Sequence, residues 1–300
     1  MNNDRRHDVD DHGFKTVISN ADVLAMLLKD FLPEFQGMDY EEVKNYLDVN
    51  EDTNTVREGN TEIRIEEGCI IMDSAFEIKV PDGTKRSLKV GIESQSSIGK
   101  RTRLLRRMQV YGGGMMFSQL GRDISDNRYE DAKDVYTIWI VLNPTTEFKN
   151  HIYHYCLRDD NGTKMGGDTP MSGINIIIVG LGSYDDDDTD ERLRFVTTLL
   201  SPKMDMTERY DAIRKAYMIE LDRYVLRGVD KLMSFTENSI EAERYEGMMI
   251  EHQKAHDMQF NSYMILMRKG LLNAEVLQEL DMEEDLREEL SIELSKMKVE

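Results

Sequence analysis

Asp73, Glu93 and Gln95 fall in the pattern D-x(19)-E-x-Q. Carboxylate oxygens are the ligands that hard divalent cations take. Two acids brought together would therefore make a metal site, and the chemistry such a site supports is metal-assisted hydrolysis. A second group follows within a few residues. Lys100, Arg101, Arg103, Arg106 and Arg107 crowd together with no acid among them. Arg103 and Arg107 are one helical turn apart, as are Arg107 and Tyr111, so the three share a helix face. Cations beside an acidic metal site suit a phosphodiester, because they neutralise and position phosphate charge. Lys100, Arg103, Arg107 and Tyr111 are the candidate phosphate contacts. A charged helix face paired with acids elsewhere is the other reading of the same cluster.

The acids can meet only if the chain between them folds back. Pro81, Asp82 and Gly83 are turn residues for separate reasons: fixed φ, a side chain that bonds its own backbone, and tolerance of φ > 0. Flanking them, Ile71–Val80 and Leu88–Gln95 read as strands. Leu88, Val90 and Ile92 share one face of the second strand, and Glu93 and Gln95 share the other. A hairpin folded about Gly83 sets Asp73 opposite Glu93. Like charges so placed destabilise a sheet, and a divalent cation would offset that. A slip in register would part them, and a solvated polar face with two unrelated acids fits the same spacing.

This hairpin resembles the core of PD-(D/E)XK nucleases. NTEIRIEEG before Asp73, FEIKVPDG after it, IESQ followed by RTRLLRRMQVYGGGMMFSQLG, then VYTIWIVLNP and INIIIVGLG are similar to the PD-(D/E)XK nuclease family transposases of the recombination-promoting nuclease (Rpn) group. The resemblance spans roughly Phe14 to Phe235. It implies a restriction-endonuclease-like αβββαβ core and a DNA endonuclease dependent on Mg²⁺, with Mn²⁺ as a substitute, acting in transposition or recombination. It assigns Asp73, Glu93 and the Ser94 carbonyl to the metal. Glu67 matches an acid that precedes the motif Asp, a turn at Gly68 flanked by solvated acids being the other reading. Glu34 is a candidate for the accessory acid that the first helix supplies in this class, a surface cap being the other. Gln95 stands where the broader class has Lys. The resembled group commonly has Gln there, and an amide can orient water but cannot act as a cation or an acid.

Composition bounds these expectations. The chain has 300 residues, a net charge of −20 and only two cysteines, Cys69 and Cys156. That length can bury a real core. The acidity argues against a broad basic footprint on nucleic acid, though not against a local basic cleft. Two distant cysteines fit a reducing, cytoplasmic setting better than a disulfide scaffold. No run reaches membrane-span length, so no membrane partner is expected.

Other motifs lead nowhere. His151 and His154 are three apart, which does not place them on one face of a strand. Gly112–Gly114 lacks the Gly-Lys-Ser/Thr ending of a P-loop, and the run Asp185–Asp188 lacks the Gly and Glu of a calcium loop. No Ser-His-Asp or Cys-His pattern competes.

The fold class expected is mixed α/β. Residues 1–13 read as a disordered leader, 14–184 as the nuclease-like domain, and 185–300 as an acidic helical region. Asn20 caps a helix from Ala21 that Pro33 stops, Tyr40–Leu47 reads as a short helix, and Asp48–Gly59 as a loop. Tyr136–Leu142 and Ile174–Leu181 are apolar runs of buried strands, with His151–Leu157 a looser strand. Helices are expected at about 191–200, 207–227, 239–268 and 274–297, the last able to mediate a homo-oligomer. The rival functional class is a catalytically inactive, nuclease-fold interaction protein of mobile-element origin, which the net charge favours.

Overall fold

The computed structural model describes residues 13–65, 68–83, 86–97, 101–157, 173–186, 189–269, 271–272, 276–277 and 284–297. It is mixed α/β and divides into two compact units, Met1–Glu237 and Asn238–Glu300.

The first unit is built on a five-stranded sheet in the order β5-β6-β7-β9-β8. These strands are β5 (Ser74–Lys79), β6 (Ser87–Ser97), β7 (Val135–Asn143), β8 (His151–Tyr155) and β9 (Ile174–Gly180). β5 and β6 form an antiparallel hairpin, β7 and β9 run parallel to β6, and β8 closes the far edge antiparallel to β9. The hairpin register pairs Ser74 with Ile92 and Ile78 with Leu88. This is the register of a fold about Gly83, whose φ of 74° is one that glycine adopts without strain.

Two helical layers explain the alternation. On one face, Phe76, Ile78, Leu88, Val90, Ile92, Tyr136, Ile138 and Ile140 join a large core with helix α1 (Ala21–Phe31). The Asn20 side chain accepts from the N–H groups of Asp22 and Val23, as a helix cap should. On the other face, Leu104 and Met108 of α3 (Arg101–Phe117) bury Trp139, Val141, Ile176 and Ile178. A short helix α2 (Tyr40–Lys44) follows α1.

The segment expected as a loop after α2 forms a small hairpin, β1 (Val49–Asn50) with β2 (Thr55–Val56), closed through Asn54 at φ 49°. The short strand β3 (Glu62–Ile65) does not join the main sheet. It pairs with β4 (Gly68–Ile71) as a separate two-stranded sheet. β4 and β5 are almost one strand, bent at Met72 and Asp73. That bend breaks the alternation expected of Ile71–Val80. Met72 turns away from Phe76 and Ile78 into a cluster with Ile63, Ile70 and Met115, beneath α3.

The first unit continues past residue 184. Leu193, Phe195 and Leu199 of α4 (Glu191–Leu199), Ile213 of α5 (Met206–Tyr217), and Val225, Val229 and Leu232 of α6 (Arg223–Arg268) belong to the same core as α1. The helix expected over 207–227 is broken after Tyr217, where Met218 takes the left-handed conformation at φ 61°. In the second unit, Met267, Leu272, Leu277, Leu286 and Leu290 form a small cluster that includes α7 (Glu284–Met297). No helix of the described residues is long and apolar enough to cross a membrane.

The three glycines of α3 set how closely it sits. A Cβ at Gly112 would lie 2.6 Å from Ile174 Cγ2, and one at Gly114 would lie 2.4 Å from Ile70 Cδ1, whereas one at Gly113 meets nothing within 4 Å. Gly113→Ala should therefore stabilise the protein by about 0.5–1 kcal/mol, the helix-propensity gain. Gly112→Ala should destabilise by about 1–3 kcal/mol through overpacking. Gly114→Ala should cost less, because Ile70 Cδ1 is a flexible chain end. Urea unfolding of the three variants checks the order, and equal midpoints would refute it.

Beside the middle of the hairpin, Lys133 Nζ lies 2.7 Å from Glu77 and 2.6 Å from Asp123, and Lys89 Nζ lies 3.1 Å from Asp123. Burial pushes both carboxyls up, but hydrogen bonds and charge from the two lysines outweigh it and hold both below their usual range. Groups depressed in this way stabilise the fold above the unfolded carboxylate range, and that stability is lost as pH falls through their folded values. Asp123→Asn should thus lower stability at pH 7 and flatten the acid limb below about pH 4. A pH series of urea midpoints reads the difference; parallel curves for the parent and the variant would contradict it.

Candidate metal and phosphate site

The bend at Asp73 replaces backbone rungs with side-chain rungs. The Asp73 N–H donates to Glu93 Oε1 at 3.0 Å. In return, Asp73 Oδ2 accepts from the Ser94 N–H at 2.8 Å and lies 3.4 Å from Ser94 Oγ. The two acids are thereby held at one end of the hairpin, in the register that pairs Ser74 with Ile92. Within a strand, the N–H and C=O of one residue point to the same side. The Ser94 carbonyl is therefore directed to the side of β6 where Asp73 sits. Two carboxylates and a backbone carbonyl are the hard oxygen donors that suit Mg²⁺ or Mn²⁺.

Glu93 is nearly inaccessible, at 1 % exposure. Its register partner on β7 is Trp139, so its side chain lies on the α3 face. A buried carboxylate needs a compensating charge, and α3 brings one. Arg107 Nη2 lies 3.6 Å from Glu93 Oε2. The same guanidinium donates to Gln95 Oε1 at 3.1 Å and to the Tyr111 hydroxyl at 3.2 Å. Its centre sits 5.0 Å from the Trp139 ring centroid and 5.1 Å from that of Tyr111. The two rings pack edge to face at 5.2 Å. Burial raises the Tyr111 phenol; Arg107 pulls against that rise, and the charges of Glu93 and Asp73 add to it.

Asp73, Glu93, Ser94, Gln95, Arg107 and Tyr111 are therefore one constellation. Arg103, a turn before Arg107 on the same helix face, is exposed. Lys100 and Glu67 lie outside the described residues. Glu34 does not join the group. Its Oε1 accepts from the Tyr136 hydroxyl at 2.8 Å, and Tyr136 pairs with Val90 on the opposite face of the sheet. Glu34 also lines a cleft with Pro81, Asp82 and Leu88, at the turn end of the hairpin. The accessory acid expected from the first helix is thus separated from Glu93 by the sheet and by half the length of β6. Among the described residues, no three His, Cys, Asp or Glu side chains converge as a metal cluster. The donor set on view is the acid pair plus backbone.

Trp139 is the residue that the sequence left unassigned. As part of an apolar run it reads only as buried strand. Its register position, level with Glu93, was accessible only through the parallel pairing of β6 with β7. A second cavity, of about 440 Å³ and lined by Val80, Leu88, Lys133 and Asp134, lies toward the hairpin turn and does not include the acid pair. Compared with family models, curated proteins and solved structures, the chain finds no match.

Proposed function

We propose that this chain is a divalent-cation-dependent DNA endonuclease with a restriction-endonuclease-like core, acting in transposition or recombination. The observation that carries the reading is the register at which Asp73 meets Glu93 and Ser94, at the end of a hairpin followed by an Arg-bearing helix. The succession of antiparallel hairpin, crossover helix and parallel strand is what the αβββαβ core requires of its second half. The two-stranded β3–β4 sheet is a departure from that plan.

Asp73, Glu93 and the Ser94 carbonyl would hold Mg²⁺ or Mn²⁺. The cation supplies Lewis acidity toward the phosphate and a lowered pKa for water. Backbone N–H bonds fix one oxygen of each carboxylate, so their orientation is set before substrate arrives. Gln95 would orient the attacking water through its amide oxygen. Arg103 and Arg107 would hold phosphate oxygens, giving affinity and register without sequence information. The net charge of −20 confines DNA contact to this local patch.

Nicking of supercoiled plasmid in Mg²⁺, compared with Asp73→Ala, tests the activity. If parent and variant show the same background, the inactive interaction-protein reading stands. The phosphate role has a separate test. Arg103→Ala combined with Arg107→Ala should weaken binding to all duplexes alike. Each lost phosphate contact should reduce the log–log salt slope by about 0.9. An unchanged slope would assign both arginines to internal pairing.

A further inference from the structure

Arg107 is placed where a bound cation would feel it most. Its guanidinium faces Glu93 Oε2 at 3.6 Å, and its Nη1 occupies Gln95 Oε1 at 3.1 Å. Its side chain is nonetheless 43 % exposed, so it sits at the mouth of the site over a buried carboxylate. The faces of Trp139 and Tyr111 give the flat guanidinium a seat. A divalent cation within bonding distance of Glu93 would stand close beside this guanidinium, and like charges at that range repel strongly.

We infer that Arg107 is an internal stand-in for the divalent cation, neutralising Glu93 and occupying Gln95 until a metal displaces it. The inference rests on the metal-site reading given above. While Arg107 is seated, the amide oxygen that would orient water is taken and the guanidinium that would hold phosphate is turned inward. Displacement releases both at once. Metal and DNA then bind cooperatively, because the outward guanidinium finds its new partner in a phosphate oxygen. Without metal, the site is held closed by its own counter-ion.

The chain's single tryptophan makes the displacement visible, since Trp139 is the ring under Arg107. Mg²⁺ titrations of the 300-residue chain would be read by Trp139 emission, and Mn²⁺ affinity by calorimetry. In the parent, Mg²⁺ should change the emission, and Asp73→Asn should abolish both the change and the binding. Arg107→Met removes the charge and keeps the bulk; it should bind Mn²⁺ at least fivefold more tightly, with no emission response. Arg107→Lys keeps the charge and should stay near the parent affinity. Should Arg107→Met weaken Mn²⁺ binding, or leave it unchanged with the metal response intact, Arg107 is no stand-in, while Asp73-dependent binding preserves the metal site. An absence of Asp73-dependent binding in every variant would remove the metal site, and this inference with it. Circular dichroism melts confirm that each variant is folded.

Discussion

Asp73→Ala is expected to reduce Mg²⁺-dependent nicking at least a thousandfold, roughly 4 kcal/mol or more in barrier. The side chain would be a direct cation ligand, and it also accepts the Ser94 N–H that sets the end of the hairpin. Metal binding should fall with activity. Gln95→Ala should separate the two. Its amide oxygen is bonded to Arg107, not to either acid, so metal affinity should be nearly intact. Loss of a water-orienting group should cost on the order of 2–4 kcal/mol, about a hundredfold in rate or more. Gln95→Lys should be tolerated or raise activity, since it installs the residue that the resembled nuclease class carries at this place. The assay pairs initial nicking rates with calorimetric Mn²⁺ affinity. If Gln95→Ala abolishes metal binding as completely as Asp73→Ala, Gln95 is a ligand and its water-orienting role is wrong.

The second large effect lies far from the acid pair. Asp30→Asn should stabilise the protein at pH 8 by about 2–4 kcal/mol and leave it nearly unchanged at pH 4. Asp30 is buried, at 8 % exposure, near the end of α1. Burial raises its carboxyl to about 7, against the opposing pull of Lys29 and Arg192 and with a small push from Asp190. Lys29 Nζ, at 3.6 Å, is a loose partner. The sign follows from proton binding. An unfolded Asp titrates near 3.9, so the folded state binds this proton more tightly. The favourable contribution is full below about pH 4, declines as pH rises toward about 7, and leaves a constant penalty above it. Asn keeps the shape and removes the charge. Urea midpoints at pH 4, 6 and 8 measure the effect, and an equal change at all three values would exclude the ionisation as its cause.

The hairpin was legible because its signals are local. Pro81, Asp82 and Gly83 mark the turn, the period of two assigns faces, and counting from Gly83 yields the observed pairing of Ser74 with Ile92. The buried strands at β7 and β9 were legible as apolar runs, and Asn20 as a cap. Met72 leaves the face of Phe76 and Ile78 because the bend at Asp73 interrupts the alternation of the strand, and nothing in the side-chain types marks a bend there. Met218 ended a helix early in a left-handed conformation that glycine or asparagine would have advertised. Arg107 was recognisable as a cation on the face of Tyr111. Its attachment to Glu93 was not, because that contact depends on how α3 crosses between β6 and β7. Glu34 was drawn toward the site by resemblance alone, and the sheet lies between them.

β6 is bonded on one flank to β5, joined to it by a short turn, and on the other to a strand reached only through α3 and the segment after it. Loop-closure entropy makes the first pairing quick and the second slow. The two carboxylates are brought together by the quick one. Arg107 comes with α3, and its Trp139 seat exists only once β7 has docked on β6. The order of assembly thus gathers the negative charge before the positive charge that compensates it. Salt, which screens the two acids while they lack Arg107, is therefore expected to speed folding more than it changes the stability of the finished site.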